Sequence, residues 1–197
     1  MVKNKQVIAV DLDDVLAEHI EAFIEFSNKN HGTNFTKQDY LEQWKDLWGI
    51  SYGEVEERAL NFLTNETVGG FGVIEDAYRV LDVLKKERDL VIVTARPKHT
   101  IDSTLEWVDH NFPATFSGVH FVPIWDPGPK KTKAEICKEI GADYLIDDLI
   151  RHCNLAIEGR IKALWFARIG WRQPDKLHSD VVRMASWREV LEYFETR

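Results

Sequence analysis

Only two cysteines stand in the 197 residues, Cys137 and Cys153, and no CxxC pairs them. That excludes a zinc-ribbon framework and a disulfide scaffold, and it suits a reducing compartment, the cytoplasm. Long hydrophobic runs are missing as well: no stretch approaches the ~20 apolar residues of a membrane-spanning helix. The start, Met1-Val2-Lys3-Asn4-Lys5-Gln6, carries no signal-peptide pattern, so none is expected. Basic excess is absent. A net charge of −8 argues against a general nucleic-acid binder. A small anionic substrate stays open, because a local metal can oppose the global field. The seven histidines show no HExxH or other tight ligand spacing. Repeats and low-complexity tracts are also lacking. The length suits one domain with an insertion, or a domain plus a small cap.

What the chain does have is Val7-Ile8-Ala9-Val10-Asp11-Leu12-Asp13-Asp14. The apolar run reads as a strand buried on both faces. Three carboxylates follow at once, where the strand ends, which is where open α/β sheets bind ligands. Packed carboxylates repel one another and cost desolvation, so a core would not select them. A bound cation relieves both problems, and hard oxygen donors suit Mg²⁺. The bland alternative is a solvated turn capping the next helix.

Residues 17 to 66 read as helical, without a convincing strand. Ile20, Phe23 and Ile24 make one apolar face, ending in polar Ser27-Asn28-Lys29-Asn30 and Gly32. A second helix can open at Thr36 and carry Tyr40, Leu41, Trp44 and Leu47. Ser51 and Glu54 form a capping box for a third, with Val55, Ala59, Leu60, Phe62 and Leu63. The glycines of Val68-Gly69-Gly70-Phe71-Gly72 break the pattern. Ile74, Ala77, Tyr78, Leu81 and Leu84 then make a helix face before a second strand, Leu90–Val93. Thr94-Ala95-Arg96-Pro97 closes that strand and opens a helix with Ile101, Leu105 and Val108. Val119–Pro123 is a third strand, and Asp126–Pro129 a loop. Thr132 and Glu135 form another capping box, for a helix that Gly141 stops. Tyr144–Ile146 is a fourth strand, ending in Asp147-Asp148. Ile161–Phe166 is a fifth, and Ser186 caps the last helix, which carries Trp187, Val190, Leu191 and Phe194. Strands alternating with helices imply an α/β fold with a parallel sheet. The helical block interrupts the alternation directly after the acidic turn, where it would stand over the site.

Asp11/Asp13, Thr94, Lys133 and Asp147/Asp148 thus fall, in this order, at strand ends or a helix start. The order resembles the four motifs of the haloacid dehalogenase-like phosphohydrolases over nearly the whole chain. Within them, Asp11 to His19 (DLDDVLAEH), VTARP, IDD and SWREVLEYF are most similar to the 5'(3')-deoxyribonucleotidases. Asp14 departs from the glycine of many members, in a turn that Asp tolerates.

The resemblance implies a Rossmann-like, three-layer, doubly wound parallel sheet with a small α-helical cap after the first strand. Residues 1–16 and 73–197 would be the core, and 17–72 the cap. It implies a Mg²⁺-dependent phosphatase working through an aspartyl-phosphate, with Asp11 as nucleophile and Asp13 as general acid and base. Asp11, the Asp13 carbonyl, Asp147 and Asp148 would form the metal site, with Asp148 favoured as the direct ligand and Asp147 as the orienting one. Thr94, the Ala95 amide and Lys133 would hold phosphate, with Lys130 and Lys131 as solvated neighbours. Arg96 would either reach phosphate too or be a surface cation.

The implied substrate is a nucleoside monophosphate. Its base would stack on one or two of Phe23, Phe35, Trp44, Trp48, Tyr52 and Phe62, the rest being core; Trp171 would border the entrance. His19, near the acidic turn, would either line the site or, the favoured reading, lie on the helix surface, and Cys137 reads as inert. The competing readings are a sugar phosphatase, a phosphatase of oligonucleotide 3'-phosphates, and a non-catalytic phosphate-binding protein. No membrane partner is expected, and a homodimer is left open.

Overall fold

The computed structural model describes residues 5–123, 130–168 and 177–197. Its sheet is built from β1 (Val7–Val10), β2 (Asp89–Thr94), β3 (Gly118–Phe121), β4 (Tyr144–Asp147), β5 (Lys162–Phe166) and β6 (Val182–Met184). The spatial order is β3-β2-β1-β4-β5-β6, and every pairing is parallel. The chain winds outward from β1 through β2 to β3, then returns to the other side of β1 with β4. The switch point of this doubly wound sheet therefore lies between β1 and β4, where such sheets open a crevice at their carboxyl ends. The Asp11 N–H donates to the Ile146 carbonyl at 2.9 Å, so the ladder continues into the acidic turn.

Strand side chains alternate between two cores. Ile8, Val10, Tyr144, Ile146, Leu164 and Phe166 pack on one face. Ala9, Leu145, Ala163 and Trp165 pack on the other. Helices cover both, which is why the strands read as continuous apolar runs. They are α5 (Ala77–Leu84), α6 (Ile101–Asn111), α7 (Lys133–Glu139), α8 (Ile150–Glu158) and α9 (Trp187–Glu195). A further four, α1 (His19–His31), α2 (Trp44–Trp48), α3 (Tyr52–Phe62) and α4 (Asn65–Gly69), lie between β1 and β2. Two hydrogen bonds tie the chain's exit to its return: Glu18 N–H to Gly72 O at 2.9 Å and Ile74 N–H to Leu16 O at 2.8 Å. Phe23, Phe62 and Val68 belong to the same apolar cluster as the first sheet face, so these helices share its core.

Local signals act as expected at several ends. Both halves of the Ser51/Glu54 and Thr132/Glu135 capping boxes form. Gly32 (φ 63°) ends α1 in the left-handed region, where a side chain would be strained. Asp14 also sits there, at φ 60°. Other expectations need correction. No helix opens at Thr36: the Asp39 carboxylate accepts from both the Thr36 N–H and hydroxyl, closing a turn, and α2 begins only at Trp44. Val68 and Gly69 finish α4, so the break falls at Gly70. The sheet has a sixth strand that was not anticipated, and α8 is the helix expected after Asp147-Asp148, filling the crossover after β4. β6 has three residues, two of them exposed, so no apolar run announces it. The Asp126–Pro129 loop and Trp171 lie outside the described residues.

Candidate active site

Asp11 directly follows β1, Thr94 ends β2 and Asp147 ends β4, so three neighbouring strands deliver them to one edge of the sheet. Lys133 is the first residue of α7, fixed by the capping box before it. Its side chain is 3% exposed, and the ammonium bridges Asp11 Oδ1 at 2.6 Å and Asp147 Oδ2 at 2.7 Å. Burial would lower the Lys133 pKa; the two carboxylates outweigh it and raise it. Lys131 instead pairs with Glu139 on the surface at 2.7 Å.

The two late aspartates differ sharply. Asp147 is fully buried and takes hydrogen bonds from Lys133 Nζ, the Leu149 N–H at 2.9 Å and His152 Nδ1 at 3.1 and 3.2 Å. Burial would raise its pKa, but Lys133 and then His152 hold it well below the usual carboxylate range. Among the described residues no donor reaches the Asp148 carboxylate. Burial pushes its pKa well up, and the Asp147 and Asp11 charges add to that. Asp11 is likewise raised to about 6, by burial first, with Lys133 opposing and Asp147 reinforcing.

One oxygen each from Asp11, Asp147 and Asp148 lies within 4.8 Å of the others, and all three residues are buried. A buried carboxylate without donors, facing two more, is the donor set a hard divalent cation fits. The residues present therefore suit Mg²⁺.

Asp13 is engaged differently. Arg96 Nη2 donates to its Oδ1 at 2.7 Å, and Nε lies 3.1 Å from both oxygens. Arg96 is 3% exposed, bonds Thr104 at 3.2 Å and stacks over Phe71 and Trp107. It is thus a buried, oriented cation rather than a surface one. Burial would raise the Asp13 pKa; Arg96 and His19 outweigh it, so Asp13 is held below the usual range. Thr94 is buried, and its hydroxyl oxygen accepts the Arg96 N–H at 3.3 Å. Asp14 also lines the cavity over this centre but is tied to α1 and its neighbours. Its Oδ1 accepts the Ile20 N–H at 3.0 Å, capping α1, and lies 3.7 Å from Arg168.

A cavity of about 400 Å³ opens over these groups, lined by Asp11, Asp13, Ala95, Arg96, Lys133 and Asp148 from one side. Tyr40, Trp44, Tyr52 and Val55, from the segment between β1 and β2, line the other. Thr94 and Asp147 stand behind the wall. Of the six candidate base-stacking rings, Trp44 and Tyr52 face the cavity. Phe23 and Phe62 are fully buried core, Trp48 packs against that core, and Phe35 is not on the wall. A larger groove of about 820 Å³, lined by Lys5, Lys85 and Arg88 among others, lies at the amino ends of the strands, away from every acid described above.

Residue-by-residue reading missed several groups. For His19 the less favoured of its two readings holds: it lines the cavity rather than the helix surface, is 9% exposed, stacks on Trp44 (centroids 5.8 Å apart) and lies 3.4 Å from Asp14. Burial would lower its pKa, but the contact with Asp14 and the Asp13 charge raise it. Tyr40 accepts the Trp44 indole N–H at 2.9 Å. His152 and Arg168 had no sequence signal beyond residue type. Arg168, just past β5, forms a two-pronged pair with Glu21 of α1 at 2.7 and 3.0 Å.

Comparison with known proteins agrees with this geometry. The family model for "5' nucleotidase, deoxy (Pyrimidine), cytosolic type C protein" matches residues 5–196. The 5'(3')-deoxyribonucleotidase of Bacillus subtilis (strain 168) is 26% identical over 192 residues, covering 94% of this chain and 96% of that one. The enzyme of the same name from Bacillus phage SPbeta matches equally. A haloacid dehalogenase-like family hydrolase from Streptococcus pneumoniae shares the fold, with a TM-score of 0.68 at 16% identity, covering 98% of this chain and all of its own. The chain belongs to the 5' nucleotidase, deoxy (pyrimidine), cytosolic type C family, and is a phosphomonoesterase with a haloacid dehalogenase-like fold.

Proposed function

We propose that this enzyme hydrolyses nucleoside monophosphates through an aspartyl-phosphate on Asp11, with Mg²⁺ as its cofactor. The observation that carries the reading is the convergence of Asp11 and Asp13 with Asp148, which no donor reaches among the described residues, and the Lys133 bridge on one small cavity. Asp11, Asp148 and the Asp13 carbonyl would hold the metal, with Asp147 orienting Lys133 behind them. The ion would supply the charge neutralisation that lets a carboxylate approach a phosphate dianion.

The rest falls to the chain. An Asp11 oxygen attacks phosphorus, and the bond from phosphorus to the ester oxygen breaks. The departing alkoxide takes a proton from Asp13. Water then attacks the acyl phosphate while Asp13 takes its proton back, releasing phosphate and restoring Asp11. Arg96 gives this cycle a lever. A phosphate dianion beside Asp13 competes for Arg96 and adds like charge, and both effects raise the Asp13 pKa, as a general acid requires. Thr94 and the Ala95 amide complete the phosphate cradle at the end of β2. Residues 17–72 act as the cap, entered and left through the hydrogen-bonded chain segments at 16–18 and 72–74. Trp44 and Tyr52 offer the faces on which a base would lie. We take the compartment to be the cytoplasm, in keeping with two free buried cysteines.

The test is phosphate release from a panel of nucleoside monophosphates, sugar phosphates and an oligonucleotide 3'-phosphate, with and without EDTA. Nucleoside monophosphates should lead, and EDTA should abolish release until Mg²⁺ is restored. Turnover that survives complete metal removal overturns the mechanism. A lead for sugar phosphates overturns the substrate.

A further inference from the structure

Two buried rings, Phe71 and Trp107, have no part in the roles given above. Phe71 follows α4, where the chain returns to the sheet, and Trp107 stands on α6. The Arg96 guanidinium carbon lies 5.1 Å from the Phe71 ring centroid and 5.8 Å from that of Trp107. Both distances are inside the ~6 Å at which a ring face attracts a cation. Thr104 stands three residues before Trp107 on α6, so the two share a helix face. Its hydroxyl accepts from Arg96 Nη1 at 3.2 Å. The Trp107 indole N–H donates to the Phe71 carbonyl at 2.8 Å. One face of α6 therefore supplies a ring, an acceptor, and the donor that pins the backbone of the second ring. These contacts fix a guanidinium, and the guanidinium fixes an acid. Among the described residues, only Arg96 donates hydrogen bonds to the Asp13 carboxylate, through Nε and Nη2. The fork is rigid and planar, so the carboxylate follows the plane of the guanidinium. The Asp13 side chain is 25% exposed, and packing alone does not hold it. A cation needed only to balance charge could stay in water; burying this one costs desolvation, which the rings and Thr104 offset.

We propose that Phe71 and Trp107 are positioning residues: together they hold the Arg96 guanidinium in the orientation that aims the Asp13 carboxyl at its work. This rests on the acid role given to Asp13 above, and it adds the residues that direct that acid. In the first step the proton passes from the Asp13 carboxyl to the ester oxygen as the bond from that oxygen to phosphorus breaks. Such a transfer needs the acid within hydrogen-bond reach. A misplacement of about 1 Å can cost about a hundredfold in rate. The loss falls on esters whose alcohol needs the proton. A sugar hydroxyl would otherwise leave as an unstable alkoxide. p-Nitrophenol leaves as a stabilised anion and needs little help.

The experiment compares kcat/KM for two esters: whichever alkyl phosphate leads the panel above, and p-nitrophenyl phosphate. This parameter covers the steps up to departure of the alcohol, so hydrolysis of the acyl phosphate does not enter it. Asp13→Asn sets the scale, with a large loss on the alkyl ester and a small one on the aryl ester. Phe71→Leu removes one ring face and should cost about ten- to a hundredfold on the alkyl ester and less than about threefold on the aryl one. Phe71→Tyr keeps the ring and should recover most of that loss. Trp107→Phe also keeps a ring but frees the Phe71 carbonyl; it should show the same bias at smaller size, and it carries the test if thermal scans show Phe71→Leu unfolded. The bias matters because a purely structural role lowers both esters together. Equal losses on the two esters in the folded variants, or no loss on either, overturn the proposal while Asp13→Asn still shows its bias. Absence of bias in Asp13→Asn overturns the acid role of Asp13, and the proposal with it.

Discussion

Lys133→Met probes the charge balance of the centre directly. The lysine is 3% exposed and touches two carboxylates at 2.6 and 2.7 Å, both buried. Removing one partner of a buried ion pair costs about 3–5 kcal/mol, because the remaining charge stays desolvated and unpaired. For a chain of this size that lowers Tm by roughly 6–20 °C. Two features of the site should modulate the loss. Asp11 already titrates near 6, above its ordinary 3.8, with Lys133 pulling it down; without the lysine it rises further. A raised carboxylate binds more protons folded than unfolded, so its folded form gains stability as pH falls through that value, a gain complete below about 3.8. The deficit of Lys133→Met should therefore shrink between pH 7.5 and pH 5, by up to about 1.4 kcal/mol per pH unit while one extra proton is held. Mg²⁺ should also recover stability, since a cation at a hundred times its Kd adds about 2.7 kcal/mol to the form that binds it. The assay is urea unfolding of both proteins at pH 5 and 7.5, with Mg²⁺ or EDTA. Equal stability at pH 7.5, or a deficit indifferent to both pH and Mg²⁺, refutes the reasoning.

Asp11→Asn should lower kcat at least about a thousandfold, with Tm within a few degrees of wild type; phosphate release and thermal scans check both. Glu21→Gln removes the carboxylate that Arg168 and Lys37 share. Its pKa falls from 4.5 to about 2, where burial alone would raise it, because Arg168 and then Lys37 stabilise the anion. That drop caps the contribution at about 3.4 kcal/mol, and partial exposure of the pair screens it to about 1–2 kcal/mol. A depressed carboxylate stabilises above its unfolded pKa, so the gap between wild type and Glu21→Gln should be full at pH 7 and close as pH falls from 4.5 towards 2. A gap unchanged at pH 3 in urea titrations contradicts it. Trp187→Phe deletes the indole donor to the Val15 carbonyl, at 2.8 Å in a fully buried setting. Leaving that carbonyl unpaired should cost about 1–3 kcal/mol, read by the same unfolding assay.

Much of the fold was written locally. Val7–Val10, Leu90–Val93 and Tyr144–Ile146 announce buried parallel strands because helices cover both faces and every side chain must be apolar. Ser51, Thr132 and Ser186 mark helix starts because a cap is a contact within four residues. Acids placed directly after two such strands are legible as a site because a core would not keep them. Other features had no local cause. β6 is three residues long and exposed on two of them, so only pairing with β5 makes it a strand. The Thr36 segment carries a helical apolar spacing, but the Asp39 side chain ties up its start and a turn wins.

The sequence by itself determined the sheet's central strands, the helix caps and the set of acids and cations from which a phosphohydrolase can be made. Tertiary structure alone decided how they are paired. Among the described residues it gave Asp147 three donors and Asp148 none, turned Arg96 onto Asp13, sank His19 among aromatic rings, and brought His152 and Arg168 to groups that adjoin the site. The physical reason is that a carboxylate's ionisation and reach depend on which donors and charges come within a few ångströms. Those neighbours come from strands and helices far apart in the chain, and no spacing in the sequence records their distance.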